Sequence, residues 1–246
     1  MKDLRLITIT LAMMTFVACG PIQRTRQSED TPVRTPETEN LLINLKKVSA
    51  RGFMFGHHDD TNYGIGWEGD EGRSDVKSVC GDYPAVISFD LGHIELGDTM
   101  SLDKVTFTKI RKEILNQYKR GGMSSLSWHL RNPLTGGDSW DVSDTTVVKS
   151  ILPGGANHEK FTGWVSKVSA IINSLQTEEG VKVPVLFRPW HEHTGSWFWW
   201  GEKLCTPEEY KALWHMTVDI LRNDGVDNAL YAYSPRKEPQ DTAQYL

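Results

Sequence analysis

The side chains most capable of chemistry are concentrated in residues 185–201. This segment begins with an apolar strand pattern and continues into Arg188 and a carboxyl group, Glu192, that lies between His191 and His193. A cluster of Trp residues follows at once. Apolar surroundings disfavour the ionised form of a carboxyl group, which can then protonate a leaving oxygen near neutral pH. Because charged groups are costly to bury unless they are paired, the pattern favours an acid catalyst at Glu192 over a solvated loop carboxylate.

A metal site at the same residues is the first alternative. His191 and His193 lie two residues apart at a strand end, a spacing that directs the two imidazoles to opposite faces. The sequence has no helical His-Glu-x-x-His pattern, no Gly-x-Ser-x-Gly nucleophile elbow, and no phosphate-binding or dinucleotide-binding fingerprint. We therefore predict no metal and no other cofactor.

Five short apolar segments predict the strands that position these side chains: residues 52–56, 85–89, 122–128, 183–189 and 229–234. Amphipathic helices are predicted at 104–118, at 160–175, and from an N-terminal cap at Thr206 with Pro207 and Glu209 behind it. This alternation predicts an α/β fold with a parallel sheet covered by helices, and polar residues follow each strand. The pattern alone does not separate a closed barrel from an open sheet.

The N-terminal segment is expected to be an export signal. Lys2 and Arg5 precede an apolar run at 6–18, which ends in small residues at Cys19 and is too short to span a bilayer. Residues 1–19 therefore predict a lipoprotein-type signal peptide with Cys19 as the lipidated residue, although Phe16 stands where Leu is usual. Secretion without lipid and an uncleaved buried segment are the alternatives. The polar residues 20–40 predict a flexible linker, and residues 41–246 form the predicted domain.

Composition excludes some classes of partner. The net charge of −5 over 246 residues offers no basic stripe for a nucleic acid, and we expect a monomer that meets a membrane only through its lipid. Nine Trp residues suit either a core or a surface that stacks on sugar rings. Cys80 and Cys205 are compatible with a disulfide in an exported protein or with two free thiols.

Residues 188–201, with the sequence RPWHEHTGSWFWWG, resemble the segment around the acid/base residue of glycoside hydrolase family 26, the endo-β-1,4-mannanase family. Segments 55–64, 88–93, 127–129 and 230–235 are similar to other strand ends of that family and occur in its order. The resemblance implies a (β/α)8 TIM barrel, incomplete here, with about the first five βα units in this chain.

The resemblance also implies roles for particular residues. Glu192 matches the general acid/base at the end of the fourth barrel strand. His191 and His129 match residues that contact the sugar, and Trp197 matches a platform on which a sugar ring stacks. A packing role is the alternative for each of these three.

Three further residues are candidates for substrate binding by the same resemblance. Arg188 is expected to orient the carboxylates or the tyrosine behind them. Trp140 and Tyr233 are expected to contact the substrate, with packing against the domain as the alternative.

The chain departs from the family pattern in one respect. The family's nucleophile is a second Glu at the end of the seventh strand, and this sequence supplies no such strand. Asp90, Glu95 and Asp98 follow the second strand, where the family has neither catalytic carboxylate, so none is assigned that role. We therefore expect the isolated chain to be inactive and of low stability.

Three functional hypotheses remain open from the sequence. The leading one is a retaining hydrolase of β-1,4-mannosidic linkages in mannans. A β-glycanase acting on mixed-linkage glucan or xylan is the second. A non-catalytic remnant that binds glycans is the third. The expected lipoprotein signal places the protein outside the cytoplasm, anchored to a bacterial membrane by the lipid on Cys19.

Overall fold

The computed structural model describes residues 33–236. Its first element is helix α1 (Pro36–Ser49), which begins after Thr35, whose side chain accepts a hydrogen bond from the Thr38 amide. The predicted linker boundary at residue 40 is therefore wrong, because residues 36–40 are helical. The predicted signal peptide, Cys19 and most of the linker lie outside the described residues.

Five parallel strands form the main sheet. They are β1 (Gly56–His58), β4 (Val86–Asp90), β5 (Met123–Ser127), β6 (Val185–Arg188) and β7 (Ala229–Tyr231), and they lie side by side in that order. Between β1 and β4 the chain forms a small antiparallel hairpin of β2 (Tyr63–Gly64) and β3 (Trp67–Glu68). Each strand of the main sheet pairs with the strand before it, without the reversal of order found in doubly wound sheets. The fold is a partial (β/α)8 barrel with five of its strands.

Helices connect the strands and cover one face of the sheet. They are α2 (Asp75–Cys80), α3 (Phe107–Lys119), α4 (Val147–Ile151), α5 (His158–Asn173) and α6 (Pro207–Asn223). The core lies between this layer and the sheet, where Phe89, Leu126 and Phe187 of the strands are buried among Ile114 and Val168 of the helices. Burial of these apolar faces provides the main driving force for the fold.

The sequence predicted most elements within a few residues. The first strand was misplaced: residues 52–55 precede β1, and the strand runs from Gly56 to His58. The fifth strand is also shorter than predicted and ends at Tyr231. Helices α2 and α4 were not predicted, because each has only five or six residues and carries too little of a periodic pattern.

The register of the sheet aligns the polar residues at the strand ends. Asp90 is the partner of Ser127, and Ser127 is the partner of Arg188. Because side chains alternate between the two faces of a strand, this row points away from the helices towards the barrel interior. The C-terminal ends of three strands thus place an acid, a hydroxyl and a guanidinium next to one another.

Two further expectations concern the cysteines and the membrane. Cys80 is exposed, Cys205 is buried, and both are free thiols, so they form no disulfide with each other. Among residues 33–236 no helix combines the length and apolar character needed to cross a bilayer.

The N-terminal cap of α6 gives a test of the fold. Thr206 accepts a hydrogen bond from the Glu209 amide, and the Glu209 carboxylate accepts one from the Thr206 amide, as the sequence predicted. We expect Thr206→Ala to lower the free energy of unfolding by about 1 kcal/mol, because the Glu209 amide loses the hydroxyl that accepts its hydrogen bond. Urea denaturation measures this change. Thr206→Ser retains the hydroxyl and should cost much less; equal losses in the two variants would contradict a role for the cap.

Candidate active site

A buried carboxylate, Asp90, lies at the centre of the strand-end row. Its side chain accepts hydrogen bonds from the Ser127 hydroxyl at 2.6 Å, from the Gly92 amide at 2.7 Å, and from both the amide and Nδ1 of His129 at 3.1 and 2.7 Å. Burial opposes the ionisation of Asp90, but these hydrogen bonds and the charge of His129 outweigh it and hold its pKa well below the usual range. Asp90 is therefore an anion that fixes the orientation of the His129 ring.

His129 in turn contacts His191, the residue directly before Glu192. Its Nε2 lies 3.0 Å from Nε2 of His191, which is 2% exposed. Burial, together with the charges of His129 and Arg188, lowers the pKa of His191 to about 3, so this ring is neutral at neutral pH. Two ring nitrogens facing each other need exactly one proton between them. The two Nε2 atoms therefore share one proton. The other ring nitrogen of His129, Nδ1, donates to Asp90.

Glu192 projects from a strained turn. The backbone of both Trp190 and Glu192 is in the left-handed region, with φ of 53° and 56°. Residues other than glycine seldom adopt this conformation. The Glu192 amide donates to the Ser234 carbonyl at 2.7 Å, and a carboxylate oxygen of Glu192 accepts from the Trp197 indole at 3.1 Å. Such strain persists only where the surroundings impose it, and it clusters at functional sites.

Trp197 is held beside Glu192 by the loop between them. A side chain at Gly195 would collide with the six-membered ring of Trp197, so only glycine allows this close approach. Arg236 lies over the Trp197 ring at 5.0 Å. Trp197 is only partly buried and directs its indole N–H at the carboxylate, as a residue at the rim of a site should.

The other aromatic residues near Glu192 form two groups: some pack against His129 and His191, and others are buried in the core. Trp140 is 49% exposed and stacks on His129, with the ring centres 5.3 Å apart and the planes 8° from parallel. Phe198 packs edge-on against both His129 and His191. By contrast, Trp199 and Trp200 are fully buried. Two of the three Trp residues after Glu192 therefore pack the core and do not form the surface that the cluster suggested.

Arg188 and Tyr233 occupy positions behind the carboxylate. Arg188 donates to the Ser234 hydroxyl at 3.0 Å. Burial lowers the pKa of Arg188, while the charge of Glu192 raises it. Ser234 thus holds Arg188 through its side chain and Glu192 through its carbonyl. The Tyr233 hydroxyl bonds to Nε2 of the buried His193 at 2.8 Å, an arrangement that fits packing better than contact with a substrate.

The structure thus brings together Glu192, His191, His129, Trp197 and Trp140 in one group of contacting side chains, in which Phe198 links Trp197 to His129. His191 and His193 bind different partners, as their spacing predicted. Sequence reasoning missed Asp90 as the partner of His129. The only hint in the sequence was Gly92, two residues after Asp90. A Cβ atom at this position would lie 2.7 Å from the His129 carbonyl oxygen, so the close approach of the two loops requires glycine.

Within residues 33–236, side chains of metal-ligand type come close enough to share an ion at His58, Asp59 and Asp103. None of these three belongs to the row around Glu192.

A parallel sheet that carries a carboxyl group, imidazoles and exposed indoles at the C-terminal ends of its strands has the construction of a barrel-type glycoside hydrolase site. Residues 31–246 match the model of glycosyl hydrolase family 26, and the chain belongs to this family.

Curated relatives and solved structures agree with this assignment. The chain is 36% identical to a mannan endo-1,4-beta-mannosidase of Bifidobacterium adolescentis over 207 residues, which are 82% of this chain and 20% of that protein. It is 27% identical to a mannan endo-1,4-beta-mannosidase of Bacillus subtilis, covering 82% of this chain and 57% of the relative.

Among solved structures, a beta-mannanase from Bacteroides ovatus is 63% identical, with a TM-score of 0.84, over 86% of this chain and 62% of that one. A modular endo-beta-1,4-mannanase from Cellulomonas fimi is 35% identical, with a TM-score of 0.76, over 83% of this chain and 46% of that one. The chain thus spans less than two thirds of each of these four proteins.

Replacement of the buried carboxylate tests its structural role. We expect Asp90→Asn to lower the free energy of unfolding by about 3 kcal/mol, because an amide cannot accept from all four donors and loses the charge that pairs with His129. Ser127→Ala removes a single donor and should cost about 1 kcal/mol. Urea denaturation near neutral pH measures both changes. Equal losses would contradict the central position given to Asp90.

The pH dependence of the same variant tests the charge on Asp90. In the unfolded chain this carboxyl takes up its proton near pH 4, whereas the folded protein keeps it ionised to lower pH. Its charge therefore stabilises the fold above about pH 4, and this contribution is lost as the pH falls towards the folded-state pKa. The stability difference between wild type and Asp90→Asn should narrow between about pH 5 and pH 3. A constant difference over that range would show that Asp90 carries no shifted charge.

Proposed function

We propose that this chain forms the acid/base side of a retaining endo-β-1,4-mannanase, with Glu192 as the proton donor and acceptor. The observation that carries the proposal is the placement of the Glu192 carboxylate on a strained turn, where it is hydrogen-bonded to the indole of Trp197 and directly follows His191, whose ring pairs with that of His129. The names of the relatives support mannan as the substrate.

On this proposal, Glu192 gives its proton to the glycosidic oxygen as the bond to the departing sugar breaks. The same group then removes a proton from the water that completes hydrolysis, since acid and base exchange roles in a retaining reaction. The indole N–H of Trp197 bonds to one carboxylate oxygen and leaves the other oxygen for the proton. Arg188, held by Ser234, stabilises the carboxylate form between the two steps.

The neighbouring rings bind the sugar. The exposed face of Trp140 offers a platform beside His129, and Trp197 lines the rim. Because Asp90 fixes His129 and His129 fixes His191, these rings keep their directions before substrate arrives. Such preorganisation lowers the cost of orienting a sugar for reaction. Tyr233 is given no contact with substrate, because its hydroxyl bonds to His193.

A retaining reaction needs a second carboxylate about 5–5.5 Å from the first, to act as the nucleophile. We assign that role to none of residues 33–236. The 246-residue chain is accordingly expected to bind mannan fragments without turnover. A barrel completed with the remaining strands is expected to hydrolyse them.

A chimera tests this proposal. Residues 33–236 of this chain, which include the whole of α1 and its cap, replace the matching part of the Bacteroides ovatus mannanase, which is similar enough for the joined barrel to pack. We expect the chimera to release reducing sugar from mannan, and Glu192→Gln to reduce this release by about 10²–10⁴-fold, the usual contribution of acid/base catalysis. Aryl mannosides with an activated leaving group need no proton and should be affected much less.

Glu202→Gln is the matched control, since it makes the same change in the loop that follows Trp200 and should leave the rate unchanged. A Glu192→Gln chimera as active on mannan as its parent would overturn the assignment. Parallel assays on xylan and mixed-linkage glucan distinguish the other β-glycanase specificities. A parent chimera that binds mannan without hydrolysing it would favour a glycan-binding remnant.

The proposed location is outside the cytoplasm, on a bacterial membrane, with a lipid on Cys19 and the domain as a monomer. The apolar run before Cys19 supports this location. Metabolic labelling with a radioactive fatty acid in a bacterial host should mark the wild-type protein and not Cys19→Ser. Cys80→Ser is the control and should keep the label. Equal labelling of wild type and Cys19→Ser would refute the anchor.

A further inference from the structure

Three side chains of metal-ligand type converge at the end of β1. Nε2 of His58 lies 3.4 Å from Oδ2 of Asp59 and 3.5 Å from Oδ2 of Asp103. One ligand atom from each of the three residues falls within 4.8 Å of the other two. The group lies at the C-terminal end of β1 and in the loop before α3, the same end of the sheet as the Glu192 turn, since β1 runs parallel to β4.

The separations suit an ion better than direct hydrogen bonds. A charge-assisted bond between an imidazolium and a carboxylate measures about 2.7–2.9 Å. Ligand atoms about 2.1 Å from a tetrahedral ion lie about 3.4 Å from one another. The distances from His58 to Asp59 and to Asp103, 3.4 and 3.5 Å, match the second arrangement and are longer than a charge-assisted hydrogen bond.

An independent observation is the unsatisfied oxygen of Asp59. Asp59 is 1% exposed, and its Oδ1 accepts a hydrogen bond from the side-chain Nδ2 of Asn62 at 2.7 Å. Its Oδ2, which faces His58, accepts no hydrogen bond. A buried carboxylate oxygen without a donor is rare and requires an explanation such as a bound ion.

The backbone and the neighbouring strand hold the group in place. Nδ1 of His58 bonds to the Ser88 hydroxyl at 2.7 Å, and the Asp59 amide donates to the Ser88 carbonyl at 2.8 Å. Asp59 has a φ of 51° and Lys104, next to Asp103, a φ of 64°, so the chain is strained beside both carboxylates. Metal-binding histidines usually have their second ring nitrogen fixed by such a partner.

We propose that His58, Asp59 and Asp103 bind a divalent transition-metal ion of the zinc type. One imidazole and two carboxylates supply three ligands with a combined charge of −2, which the ion balances, and further positions stay open to water. The ion joins the end of β1 to the loop before α3 and removes the repulsion between the two carboxylates. The role of this ion is structural, and it is independent of hydrolysis at Glu192.

Zinc titration of the 246-residue chain, freed of metal with a chelator, tests the proposal. Isothermal calorimetry should show one equivalent of Zn²⁺ bound with micromolar or tighter affinity, and added Zn²⁺ should raise the unfolding temperature. Asp103→Asn should weaken the affinity at least tenfold. Asp98→Asn is the matched control: it changes an exposed Asp that lies 3.9 Å from another histidine, His93, and should leave the affinity unchanged.

A second pair of variants covers the case in which Asp103→Asn does not fold, as judged by circular dichroism without metal. His58→Gln should lose the affinity and His93→Gln should keep it. Cys80→Ser should bind as the wild type does, because the exposed thiol is not a ligand. Absence of one-to-one binding, or equal affinity within either matched pair, would overturn the proposal and leave His58 as an ion-pair partner only. No sugar is present in these measurements, so their outcome is separate from that of the mannan assays.

Discussion

The arrangement of the side chains around Glu192 depends on the buried anion at Asp90. An ionised carboxylate can only accept hydrogen bonds, so the chain must bring donors to it wherever it is buried. Those donors come from the loop after β4 and from the end of β5, and the last of them is the ring of His129. Once this ring is fixed, the direction of its second nitrogen determines where His191 lies, and Glu192 follows in the chain. An interaction on the second strand of the barrel thus positions a carboxyl group on the fourth.

The sequence pattern was sufficient for the α/β class, and the resemblance to a family supplied the barrel; the role of Glu192 stays a prediction. Periodicity located helices α3, α5 and α6, and the capping pattern at Thr206 gave the start of α6 correctly. The first strand was misplaced because Phe53 and Phe55, the apolar residues that suggested it, are exposed before the strand begins. Apolar composition alone therefore gave the wrong bounds for this strand.

Contacts between distant parts of the chain were beyond the reach of sequence patterns. Asp90 and His129 are 39 residues apart, and Ser234 meets Arg188 across 46 residues. Nothing in the local sequence around either member identifies the other. The resemblance to a family gave His129 a substrate contact without the buried acid that orients it. Pairings of this kind follow from the register between neighbouring strands, which no local sequence pattern specifies.

The Trp-rich segment shows how one motif serves both stability and recognition. Trp190, Trp199 and Trp200 pack mutually within the core, with ring centres 5.1–5.5 Å apart. Their indole N–H groups also matter: that of Trp200 donates to the His191 carbonyl, and that of Trp190 donates to Thr217. The residues that form the base of the site are therefore anchored in the same core that stabilises the domain. A loop that must hold a carboxyl group within a narrow range of positions benefits from so rigid a support.

The left-handed backbone at Glu192 has a consequence for how this loop tolerates change. A side chain at such a position costs about 1–2 kcal/mol relative to glycine, and asparagine is tolerated better than most residues. Glycine or asparagine at 192 would relieve that cost while removing the carboxyl group. By this conformational term alone, the domain would be more stable without the Glu192 carboxyl group. Drift under selection for folding alone would move the chain in that direction, so we expect Glu192 to be retained only if its carboxyl group acts on a substrate, as proposed.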